Sequence, residues 1–111
     1  NLYYRFVSKL DMQRYAFFDP PRDFVPFCIP IWTRDNDIEK VKTKLRKLGV
    51  QCRPLVGSNL LVQPCFREYA AQAHQHGIPN AEWVHKNAAY VGIPHDLPKK
   101  KIDWLVKVLN E

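Results

Sequence analysis

The sequence predicts an α+β fold, a small and largely antiparallel sheet with helices on one face. Three observations point there. Helical periodicity recurs in at least three separate stretches, short β-prone runs stand between them, and no Gly-rich phosphate loop of the parallel, doubly wound kind follows any of those runs. A chain of 111 residues suffices for one ordinary domain. No Gly/Ser linker, repeat or low-complexity tract divides it.

The opening run Asn1 to Leu10 falls straight into helical periodicity, without an initiator Met, so the natural protein is expected to begin earlier. Tyr15 to Phe18 reads as a short strand, and Asp19-Pro20-Pro21-Arg22-Asp23 as a turn, since proline presets φ and Asp bonds nearby backbone. Val25 to Trp32 is apolar and β-prone. Pro26 and Pro30 cannot donate to a ladder, so this run is expected at a sheet edge or with a bulge. The most secure helix runs from about Asp37 to Leu48. Its apolar stripe is Ile38, Val41, Leu45 and Leu48, and Gly49 ends it. Val50 to Leu55 reads as a strand, Val56-Gly57-Ser58-Asn59 as a break, and Cys65 to about His76 as a helix. Asn80 is placed to cap a short helix carrying Ala81, Val84 and His85. Ala88 to Ile93 is a further strand, and Lys99 to Asn110 a final helix with Ile102, Leu105, Val106 and Leu109 inward. A sheet covered on one side leaves a second side to meet another domain or subunit.

Composition bounds the function. At 46% hydrophobic and 13% aromatic residues the chain is too apolar for disorder, yet no apolar run reaches the roughly 20 residues that span a bilayer. We expect no membrane association. The formal charge of +6 favours an anionic partner, but Lys40, Lys44 and Lys47 recur opposite the apolar stripe and Lys99, Lys100 and Lys101 open an amphipathic segment, which reads as solvated helix faces. The aromatics lie in apolar runs rather than among the lysines, and nucleic-acid binding is not expected. Three cysteines at wide spacing, Cys28, Cys52 and Cys65, with no CxxC pair, suit a reducing cytoplasm.

The chemistry-bearing types are mostly dispersed. His74 and His76 point about 200° apart on a helix and cannot share one ion. Cys28 and Cys52 fall within strands as small hydrophobes, and Glu39, Glu68, Glu82 and Asp103 on polar helix faces in solvated or capping roles. What stands out is Gln51 to Phe66, which sets Arg53 at a strand end, then Ser58 and Asn59 in a Gly-containing loop, then Gln63 before a proline. Such donors suit an oxygen-rich ligand, and they equally suit a polar loop with Arg53 in a surface ion pair.

The same stretch resembles a motif of the DegT/DnrJ family of PLP-dependent nucleotide-sugar enzymes, R-P-[LI]-x-x-x-N-x-x-x-Q-P-x-[FL], at Arg53-Pro54-Leu55, Asn59 and Gln63-Pro64-x-Phe66. Phe27-Cys28-Ile29-Pro30-Ile31, Leu48-Gly49-Val50, Pro79-Asn80-Ala81-Glu82, Tyr90-Val91-Gly92 and Ile102-Asp103-Trp104-Leu105 resemble further blocks of that family in the same order. The nearest branch acts on 4-keto-6-deoxy nucleotide sugars and contains aminotransferases and a 3-dehydratase. This chain departs from it at Val62, where a basic residue is common, and at Pro94 before His95, where a polar residue is common.

The resemblance implies the carboxy-terminal small domain of a fold-type I aminotransferase, with residues 1–14 the end of an inter-domain helix and 15–111 the small domain. It implies an amino-group transfer from an amino acid to a keto sugar, with pyridoxal 5'-phosphate held mainly by a large domain of the same polypeptide. The family's Schiff-base lysine and pyridine-nitrogen carboxylate belong to segments that nothing here resembles, so this chain alone is not expected to be an enzyme. A homodimer is implied for the full enzyme, and the substrate-facing residues implied are Arg53, Ser58, Asn59, Gln63 and His95. Alternatives are 3-dehydration of a similar sugar, or a non-catalytic sugar-nucleotide-binding or assembly module.

Overall fold

In a computed structural model the chain is described throughout except for Arg22, in the expected 19–23 turn, and the side chain of His74. In chain order the elements are α1 (Leu2–Val7), β1 (Tyr15–Ala16), β2 (Cys28–Thr33), α2 (Ile38–Lys47), β3 (Cys52–Pro54), α3 (Arg67–His76), α4 (Pro79–Asn87), β4 (Ala88–Gly92) and α5 (Lys99–Asn110). Three short 3-10 turns, Leu55–Gly57, Leu60–Val62 and Pro64–Phe66, lead from β3 to α3. Among the described residues no helix is long and apolar enough to cross a membrane.

The four strands form one antiparallel sheet in the order β1-β2-β4-β3. β2 alternates strictly, with Ile29, Ile31 and Thr33 buried and Cys28, Pro30 and Trp32 turned to the other face. Ile29 and Ile31 stand opposite Val91 and Ala89 of β4, so one face of the sheet is apolar. Against it pack Tyr3 and Phe6 of α1, Ile38 and Leu45 of α2, and Ile102, Leu105 and Leu109 of α5. Leu45 and Leu109 are each fully buried and contribute on the order of 1.5–3 kcal/mol by leaving water. α1 thus shares the core of the remainder. It and the turn after it are also bound to α5 by Arg5 and Lys9, which both reach Asp103 at 2.6 Å. On the second face, α4 covers one end, where Trp83 stacks on Trp32 with ring centroids 5.8 Å apart.

β2 is not the edge strand that its prolines suggested, nor is it bulged. Its register with β4 is continuous from Cys28↔Gly92 to Trp32↔Ala88. Ile93 N–H donates to Phe27 O, which fixes residues 27, 29 and 31 as the ones whose backbone polar groups face β4. Pro26 and Pro30 therefore face the opposite side, where β1 pairs only with Trp32 and Thr33. The missing N–H groups cost no ladder bond.

α2 stops as its sequence dictates. Gly49 has φ +77°, its N–H bonds Arg46 O at 3.0 Å, and Val50 N–H bonds Leu45 O at 2.9 Å, a Schellman closure that also seats Val50 against the core. Leu48 departs from the expected stripe. As the residue at the helix end, with φ −91° and ψ 7°, it points away from the sheet and is 48% exposed. Lys42 takes a buried place instead, its ammonium paired with Glu39 at 2.5 Å. Asn80 is not a cap. Pro79 occupies the first turn of α4, because its preset φ suits a position needing no N–H partner, and Ile78 precedes it as the cap residue. The buried polar residue there is Asn87, whose Oδ1 accepts from Thr33 Oγ and Asn36 N–H while its Nδ2 donates to Asn36 Oδ1 and Trp83 O. With every polar atom bonded, it locks the end of α4 to the loop after β2.

Candidate functional site

The open face of the sheet gathers the candidate residues. Arg53 of β3 lies opposite Tyr90 of β4, and Tyr90 lies opposite Pro30 of β2, so these three form a row across that face. Phe27, just before β2 and 75% exposed, sets its ring edge-on to Tyr90 with centroids 6.4 Å apart. Beyond β4, His95 borders a cleft of about 540 Å³ whose walls include Asn1, Val25, Phe27 and Ile93. An apolar strip thus runs from that cleft through Phe27 and Tyr90 to the strand position of Arg53. Gly92 keeps the strip open, since nothing lies within 4 Å of where a side chain would begin.

Arg53 is exposed, and among the described residues no carboxylate pairs with it. The surface ion pair that would have explained it as an ordinary polar residue is not formed. Its planar fork is left for phosphate or paired sugar oxygens.

The loop after Arg53 is held in an unusual backbone. Val56, Gly57 and Ser58 have φ of 39°, 76° and 52°, three successive residues in the left-handed region, one of them β-branched. This turn packs against β4. Ser58 is half-buried, and its Oγ lies 3.5 Å from Leu55 O. Asn59 is 7% exposed, and its Oδ1 accepts from Leu61 N–H at 3.0 Å, capping the next 3-10 turn. Among the described residues its Nδ2 has no acceptor, so the amide keeps both N–H donors. Gln63 is exposed at the start of the turn that leads to α3. The structure therefore puts Arg53 on the open face, Ser58 and Asn59 in the tight turn beside it, Gln63 farther along that segment, and His95 at the cleft at the other end of the strip. Phe27 and Tyr90, which join these ends, were not singled out from the sequence. The signal for Tyr90 is the period-2 alternation, in which it stands between buried Ala89 and Val91; Phe27 comes to it only through the fold.

No cysteine offers a ready nucleophile on this face. Burial pushes the Cys28 and Cys52 thiols up, and all three cysteines are unbridged. Among the described residues no three His, Cys, Asp or Glu side chains converge to hold a metal ion; for the His74–His76 pair, the His74 side chain lies outside the described residues.

No protein-family model matches the chain, and no curated protein matches it. Solved structures do. The E. coli GDP-4-keto-6-deoxy-D-mannose-3-dehydratase with bound hydrated PLP superposes with a TM-score of 0.75 at 21% identity, over 96% of this chain and 28% of that one. The chain has the fold of that segment. A GDP-4-keto-6-deoxymannose-3-dehydratase with a trapped PLP-glutamate geminal diamine gives a TM-score of 0.74 at 21% identity, with the same coverage. This chain spans little more than a quarter of the length of the enzymes it matches. The likeness establishes the α+β fold and leaves activity to the site itself.

Proposed function

We propose that this chain forms the substrate-facing small domain of a larger PLP-dependent enzyme acting on a nucleotide-linked keto sugar. The observation that carries the reading is the unpaired Arg53 beside Tyr90 on an open sheet face, within a fold superposable on sugar-nucleotide enzymes over 96% of its length. Arg53 would hold phosphate or paired hydroxyl oxygens. Gln63 and the free amide donors of Asn59 would orient further oxygens, and the ring edges of Tyr90 and Phe27 would exclude water from one side of the ligand.

Among the described lysines the buried one is Lys42, and its ammonium is committed to Glu39 on α2, on the side of the sheet away from Arg53. The cofactor is therefore assigned to the remainder of the polypeptide, where it would act as the electron sink. The same remainder would cover the open face of the sheet, residues 1–14 would lead into it, and the assembled enzyme would be a homodimer of a reducing cytoplasm.

Two reactions fit this site. Dehydration at C3 of a 4-keto-6-deoxy sugar is favoured because both matched structures are 3-dehydratases. Amino transfer to the keto group is supported by the Arg53 to Phe66 motif, which the aminotransferases of the resembling family share. A histidine at the Schiff-base position of the complete polypeptide marks the first, a lysine there the second.

The test is Arg53→Ala in the complete polypeptide. We expect kcat/KM for the nucleotide sugar to fall by about tenfold or more, roughly 1.4 kcal/mol of transition-state stabilisation, while the half-reaction with the amino acid changes much less. If both half-reactions fall together, or the variant fails to fold, the Arg53 loop is a structural device and the assignment is wrong.

A further inference from the structure

The helical layer, on the far side of the sheet from Arg53, carries a second feature that the proposed function does not use. The outer stripes of α2 and α5 enclose a groove of about 470 Å³ lined by Lys44, Lys47, Leu48, Trp104, Lys107 and Glu111. Its floor is apolar, because Leu48 is turned out at the end of α2 and Trp104 stands on the solvent side of α5, 48% and 43% exposed. Its rim is basic. Lys44 donates to Val108 O at 2.5 Å and is tied down, whereas Lys47 and Lys107 are exposed and make no ion pair among the described residues.

We infer that this groove docks an acidic, amphipathic peptide segment of a partner protein. An indole and a leucine side by side form the kind of anchor pocket that fixes a hydrophobic side chain, and unpaired ammonium groups on either side select carboxylates flanking it. The lysine stems extend the apolar wall while their charges stay in water. A nucleic acid fits less well. The basic rim is short, Glu111 stands within it, and the surface adjoining it along α2 mixes Asp37 and Glu39 with Lys40, so the described residues present alternating charge rather than an unbroken basic track for a phosphate backbone. A flat anionic lipid surface would reach the lysines without filling the floor.

A short synthetic peptide with Glu at the polar positions of a helix and Leu at the buried ones tests this, read by fluorescence anisotropy of an attached dye against the purified complete polypeptide. Controls are the same composition scrambled, a Lys-for-Glu version, a single-stranded oligonucleotide, and phosphatidylserine vesicles. Saturable binding of the acidic amphipathic peptide is expected, weaker at high salt, and weakened by about tenfold or more in both the Lys47→Glu/Lys107→Glu double variant and Trp104→Ala. Because both lysines are exposed, the double variant should stay folded and lose only the modest helix-end stabilisation that Lys47 and Lys107 supply in the last turns of α2 and α5, which keeps the result readable if Trp104→Ala is unstable. Absence of peptide binding, equal binding of the scrambled peptide, indifference to the double variant, or preferential binding of the oligonucleotide or vesicles overturns the inference.

Discussion

Asp103 shows how much a single residue can do beyond its local context. From the sequence it belongs to the polar face of the last helix. In the structure its carboxylate accepts from Arg5 Nε at 2.9 Å and Nη2 at 2.6 Å, a two-pronged contact, and from Lys9 Nζ at 2.6 Å, joining residues more than ninety positions apart. These hydrogen bonds, from Arg5 first and Lys9 second, hold its carboxyl below the ordinary 3.8, at about 2. The folded state therefore binds this proton less readily than the unfolded chain. Its contribution to stability is present in full above the unfolded value and is lost as pH falls from about 4 through 2. Thermal melts of wild type and Asp103→Asn across that window check this. The wild type should lose stability on acidification faster than the variant, and parallel curves would show that the cluster adds nothing.

Among the elements, the turn Leu55–Gly57 with Ser58 has the least comfortable backbone. Gly57 at φ +76° is at ease there, but Val56 at φ +39° carries a β-branched side chain in the left-handed region, and it is 79% exposed, so packing does not compensate. Such strain next to Arg53 is what a turn shaped for ligand presentation would retain. Replacing Val56 by Asn, which tolerates this backbone, should raise stability by about 0.5–1 kcal/mol in a denaturant titration. A loss of stability instead would mean that the valine makes an energetically important contact. The Schellman closure of α2 is the opposite case, where Gly49 and the geometry agree and the sequence announces the structure.

At the scale of the whole molecule, the two sides of the sheet are unequal. One is sealed by α1, α2 and α5 around Ile29, Ile31 and Val91, while the other presents Tyr90, Phe27 and Val25, and the segment from Leu60 to Tyr69 adds Leu60, Val62, Phe66 and Tyr69 to the exposed apolar surface. A net charge of +6 opposes association, yet an apolar surface of this kind favours it. The isolated chain should therefore bind a hydrophobic dye and self-associate with rising concentration, in sedimentation or light scattering, more than its charge suggests. A monomeric, dye-silent chain over a wide concentration range would count against a missing neighbour on that face.

The sequence by itself determined the helices and most strands, because their signals are local. Apolar spacing in α2 and α5, alternation in β2, and Gly49 at a helix end each depend on contacts or dihedral preferences within a few residues. It also singled out Arg53 as a donor at a strand end. Only the tertiary structure decided what faces what. The strand order put β4 in the interior beside both β2 and β3, which set Tyr90 next to Arg53 and linked both to Phe27. The same packing turned Leu48 outward, spent the Oδ1 of Asn59 on a cap, and carried Asp103 to Arg5 and Lys9. Periodicity says which face of an element is buried, but the partners across a sheet or a helix pair come from distant parts of the chain, and their identity is fixed only when the whole core closes.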